Sequence, residues 1–72
     1  LSTSYDRIAS RAGTKDGGWS YWYYMGDHLL AVDAINDPQA FMVAKRLLEM
    51  GRSPAPEIIQ NPGTKLKALL KS

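Results

Sequence analysis

Five aromatic rings fall within one short stretch, Trp19-Ser20-Tyr21-Trp22-Tyr23-Tyr24, and only Tyr5 and Phe41 are aromatic elsewhere. Most of the large apolar surface of the chain therefore enters through one segment. Every other element must pack on that segment or leave it bare. As a strand, Trp19, Tyr21, Tyr23 and Met25 would share one face, with Ser20, Trp22 and Tyr24 on the other. The residue types suit a strand, but no second β-rich run is evident to pair with it. As a helix, Trp22, Met25, Leu29, Val32 and Ile35 fall at three- and four-residue steps, with Trp19 one turn earlier. That continuous stripe favours a helix, which Gly26 weakens by about 1 kcal/mol relative to alanine. The alternative is an aromatic strand broken at Gly26.

The flanks read as helices too. Ser4 to Ala12 carries Tyr5, Ile8 and Ala12 on one side, Arg7 and Arg11 as a solvated basic pair, and Gly13 as a stop. Asp37-Pro38 is a helix start, an acidic cap followed by proline at the first helical position. That helix runs from Pro38 to Met50, with Phe41, Ala44, Leu47 and Leu48 inward and Gly51 ending it. Ser53 opens a short helix to Gln60, Pro62-Gly63 fits a type II turn, and Thr64 caps a last helix carrying Leu66, Leu69 and Leu70. The expected fold is mostly α, a small compact bundle of three to five short helices. A minor β-hairpin around Asp16-Gly17 is its main rival, because Asp-Gly favours tight hairpins. The expected core is Ile8, Trp22, Leu29, Val32, Ile35, Phe41, Ala44, Leu48, Ile59, Leu66 and Leu69.

With 72 residues the chain reads as one domain, residues 1–72, near the lower size limit for an unaided core. Residues 64–72 form a basic C-terminal helix or tail. There is no cysteine, so no disulfide and no thiol chemistry. No signal peptide and no membrane-long apolar run is found, so the expectation is a soluble, cytoplasmic chain with no membrane partner. Leu1 in place of an initiator methionine suggests a chain that is trimmed, excised or missing its first residue.

Catalytic and metal-binding patterns are missing. His28 stands alone without a second histidine or a properly spaced carboxylate, so no metal site is expected. No serine has an elbow or triad context, and the Gly17-Gly18 pair lacks phosphate-loop spacing. No cofactor and no enzymatic activity are expected.

Charge is unevenly placed. Asp16, Asp27, Asp33 and Asp37 lie in a stretch free of Lys and Arg, whereas Lys65, Lys67 and Lys71 crowd the C-terminal end. An acidic, aromatic surface formed by Trp19, Tyr21, Tyr23, Tyr24, Asp27 and Asp33 is therefore the expected binding site. Its partner would be a larger protein with a basic surface. A regulator or inhibitor of a transcription or replication machine is the specific case. A homodimer would also use such rings. The alternative is a helix–turn–helix DNA-binding domain over residues 45–71, touching nucleic acid through Arg52, Lys65, Lys67 and Lys71.

Overall fold

A computed structural model describes residues 5–13 and 16–71. It overturns the helical bundle. The chain begins with a three-stranded antiparallel meander, β1 (Arg7–Ala12), β2 (Trp19–Met25) and β3 (His28–Ile35), in the order β1-β2-β3. The helices α1 (Pro38–Met50) and α2 (Pro56–Gln60) follow, then a 3-10 turn, Leu66–Leu70. Helical elements all lie against one face of the sheet. α1 covers β3, α2 covers β1 and part of β2, and the 3-10 turn leans on α1.

The aromatic segment is a strand because partners exist on both sides. Ala9, Trp22 and Val32 form one cross-strand row, and Arg11, Ser20 and Ala34 form another. β1 supplies the missing partner strand. It replaces the expected first helix, whose start at Ser4 lies outside the described residues. Gly13 then closes the hairpin, its amide donating to the Gly18 carbonyl at 2.9 Å. The rival hairpin at Asp16-Gly17 is thus the real one, with Gly17 at φ 80. Gly26 starts the two-residue link from Met25 to His28 with φ 59, a position where glycine costs least.

The register shifts between Tyr23 and Tyr24, which pair with Ala31 and Leu29 and leave Leu30 extra in β3. This bulge puts Leu29 and Val32, three residues apart, on the same inner face. The core on that face is Ala9, Trp22, Tyr24, Leu29, Ala40, Val43, Ala44, Leu47, Ile59 and Leu66, with Val32 and Leu69 packed against it. Four expected core members are corrected. Ile8, Ile35, Phe41 and Leu48 are all exposed, Phe41 by 55%. Ile8 and Ile35 point from the other face of the sheet, and α1 turns Ala40, Val43, Ala44 and Leu47 inward instead. Phe41→Ala should accordingly shift stability by only about 0.5 kcal/mol, as surface changes do.

The boundaries of α1 follow the sequence rules. Asp37 accepts from the Ala40 amide at 3.2 Å, proline follows it, and Gly51 ends the helix at φ 70. Asp37 is buried against the hairpin end, where a Cβ on Gly13 would meet its Oδ2 at 2.6 Å. Gly13→Ala must push the cap aside, and a loss of about 1–2 kcal/mol is expected in chemical denaturation, the usual cost of losing a cap. α2 is shorter than expected and begins after Ala55, while the hydroxyl of Ser53 accepts from the Leu29 amide. Thr64 does not cap the last element. Its hydroxyl donates to the Ile58 carbonyl. A turn does close over Pro62-Gly63, the Thr64 amide donating to Asn61, but Gly63 lacks the positive φ of a type II turn.

Two arginines act structurally. Arg11 is no solvated cation, for it donates to the carbonyls of Ile59 and Thr64 and ties β1 to the C-terminal segment. Arg7 pairs with Glu57 at 2.6 Å. A hydrogen bond from its own backbone amide, with the Arg7 guanidinium beside it, holds the Glu57 carboxyl below its usual range.

Candidate functional site

Strand alternation assigns the remaining side chains. The face turned from the helices carries Ile8, Ser10 and Ala12 of β1, Trp19, Tyr21, Tyr23 and Met25 of β2, and Ala31, Asp33 and Ile35 of β3. Cross-strand rows on it are Ile8-Tyr23-Ala31, Ser10-Tyr21-Asp33 and Ala12-Trp19-Ile35. No described element covers this face. Trp19 is 38% exposed, Tyr21 37% and Ile35 55%. The Trp19 and Tyr21 rings lie tilted with centroids 6.4 Å apart, and Tyr5 meets Tyr23 edge-on at 5.1 Å. The result is a contiguous aromatic and aliphatic plate of the kind that soluble monomers seldom leave bare.

Polar chemistry on the plate is sparse. The Tyr23 hydroxyl donates to Asp33 Oδ2 at 2.9 Å, and that carboxylate acceptor holds the phenol proton above its ordinary range. His28 and Asp27 sit exposed at the β2–β3 link. Among the described residues no His, Cys, Asp or Glu cluster could hold a metal ion.

Of the expected site, Trp19, Tyr21, Tyr23 and Asp33 do come together, and Asp27 lies at the end of the plate. Tyr24 does not belong. It is fully buried on the opposite face, where its hydroxyl donates to the Pro54 carbonyl at 2.6 Å. Burial pushes its pKa up to about 12. The unfolded tyrosine ionises near pH 10. The folded chain thus keeps a proton that the unfolded chain loses, and stability falls as pH rises from about 10 towards 12. Tyr24→Phe should flatten that alkaline loss in denaturation curves taken across this range, and an unchanged slope would place the effect elsewhere. The strand alternative already groups Met25 with Trp19, Tyr21 and Tyr23, whereas Ile8 and Ile35, assigned to a helical core, join the plate only through two-residue alternation along β1 and β3.

The nucleic-acid alternative fails on geometry. Among the described residues α2 cannot serve as a recognition helix, since it is five residues long and buries Pro56 and Ile59 against the sheet. Arg52 donates to the carbonyls of Leu69 and Lys71 and clamps the C-terminal turn. Lys65, Lys67 and Lys71 are exposed.

The family model described as reductase C-terminal matches residues 1–70. The chain belongs to the reductase C-terminal family. This overturns the reading as a regulator or inhibitor of transcription or replication, and with it the DNA-binding alternative. The reductase C-terminal chain is also similar to putidaredoxin reductase CamA of Pseudomonas putida, with 31% identity over 70 residues. That match takes in 97% of this chain and 17% of the relative, so the chain spans about a sixth of its relative's length. No solved structure matches it. No helix among the described residues is long and apolar enough to cross a membrane.

Proposed function

We propose that the chain serves as the C-terminal domain of a larger oxidoreductase and packs the bare face of its sheet onto the rest of that enzyme. Redox chemistry then belongs to the remainder of the polypeptide, and the enzyme as a whole acts on a partner of the putidaredoxin kind. The observation that carries this is the asymmetry of the sheet. One face holds a full helical layer, whereas the other presents Trp19, Tyr21, Met25 and Ile35 to solvent. A two-layer domain stabilises itself by covering both faces of its apolar sheet or by keeping one polar. Here the uncovered face is neither.

The chain also has no thiol of its own to carry electrons. Interdomain contacts within one polypeptide are modest in area, which suits a three-stranded face better than a free-standing dimer would. Asp27 and Asp33 would meet a basic surface on the reductase body. Co-expression of these 72 residues with the remainder of the reductase, as two separate polypeptides, tests the reading. The two pieces should co-purify in equal amounts. A chain that runs alone, as a monomer or as its own dimer, would contradict it.

A further inference from the structure

On the opposite side of the molecule from the sheet plate, α1 and the 3-10 turn leave an apolar groove of about 590 Å³ between them. Gln39, Met42 and Arg46 are spaced three and four apart, so they share one flank of α1. They form one wall, and Lys67 and Leu70 form the other, above Val43. A second groove of about 540 Å³ shares Gln39 and Lys67 and continues past Lys65 to the Pro62–Thr64 turn. Through these shared residues the two grooves adjoin as one channel, with Met42, Val43, Leu70 and the cation Arg46 in one half, Lys65 in the other, and Lys67 common to both.

Three features give this channel a specific chemistry. Met42 is 66% exposed at its mouth, a flexible thioether able to fit varied apolar side chains. Arg46, Lys65 and Lys67 stand exposed and form no salt bridge, the one ion pair of the described residues being Arg7–Glu57. No aspartate or glutamate lines either groove. The other cation of the channel, Arg11, is already spent on two backbone carbonyls. An apolar floor of Met42, Val43 and Leu70 beside cations with no carboxylate in the lining suits an amphipathic, acidic partner. We propose that this channel receives an acidic amphipathic segment of another protein, its apolar side chains on Met42, Val43 and Leu70 and its carboxylates on Arg46, Lys65 and Lys67. Helix-in-groove recognition works in this way. The site is separate from the sheet face and does not depend on how that face is covered.

A labelled synthetic helix with leucines along one stripe and glutamates elsewhere serves as the probe, titrated against the full chain by fluorescence anisotropy. A second helix with the same leucines but lysines for glutamates is the control. Saturable binding of the glutamate helix is expected, weakening several-fold when salt shortens the screening length from about 10 Å at 0.1 M towards about 3 Å at 1 M. The double variant R46E/K67E should weaken it at least about tenfold, because the probe's carboxylates lose two cationic partners and meet two carboxylates that repel them. Both side chains are exposed, so the fold is expected to survive, which circular dichroism checks. Lys45→Glu, on a lysine outside the channel, should change binding little. Equal binding of both helices, an unaffected R46E/K67E, or an equal loss in K45E would overturn the proposal. So would capture by anionic lipid vesicles with no binding of the glutamate helix.

Discussion

Trp22→Ala is expected to leave the chain unfolded at room temperature. Trp22 is fully buried in the middle strand, between Ala9 and Val32 in its row and beneath the helices. Losing so large a side chain from a packed core costs roughly 3–5 kcal/mol. A chain this small has a total stability near the low end of about 5–15 kcal/mol. The indole N–H also donates to the buried Ser20 hydroxyl at 2.9 Å, so the truncation strips a partner from a second buried polar group. Near-ultraviolet circular dichroism and urea titration would read the result. Trp19→Ala provides the contrast. Trp19 lies three residues earlier on the exposed face, and its loss should cost no more than about 0.5–1 kcal/mol in the 72-residue chain. Similar costs for the two tryptophans would mean that the two faces have been assigned wrongly.

The second large effect concerns the whole reductase and not the chain alone. Tyr21 and Ile35 sit in adjacent rows of the bare face. Replacing both with lysine places two charges where apolar contact with the reductase body is proposed. Within the chain by itself these side chains already face water, so its melting temperature should move by only a few degrees, equivalent to about 1 kcal/mol. In the intact enzyme each buried charge without a partner costs several kcal/mol, enough to lift the domain away. Limited proteolysis should then cut between body and domain much faster than in the parent enzyme. An intact enzyme that resists protease as before would remove the sheet face from the interface.

Some of this was legible in the residues, and the failures have physical causes. α1 was readable because its cap, its first-position proline and its terminal glycine are local devices that need no partner. The sheet was misread because its apolar spacing imitates a helix. Leu29 and Val32 are three apart on one face only because the bulge at Leu30 adds a residue to β3. The four-residue step from Met25 to Leu29 spans the Gly26-Asp27 link, and those two side chains end on opposite faces. Ile35 continues the three-residue rhythm from Val32 yet points outward beside Trp19. Pairing decided the outcome, and the partner strand Arg-Ile-Ala-Ser-Arg-Ala has too little β character to announce itself. The site was half legible. The concentration of rings was plain, but which rings share a face depends on strand periodicity, and a helical reading could not separate Tyr24 from Tyr21. Arg11 and Arg52 looked like free cations because their carbonyl partners, Ile59, Thr64, Leu69 and Lys71, are distant in sequence.

Trp19 reports directly on whether the reductase body sits on the bare sheet face. Trp22 is already shielded by the core, so acrylamide quenching of the chain's fluorescence reports mainly on Trp19, and a Trp19→Phe variant supplies the background. The measurement is made on the 72-residue chain and again on the whole reductase, subtracting the matched variant in each. Trp19 should be readily quenched in the chain alone and lose most of that accessibility in the whole enzyme. Equal quenching in both would show that the face stays open to water, and the proposed packing would be wrong.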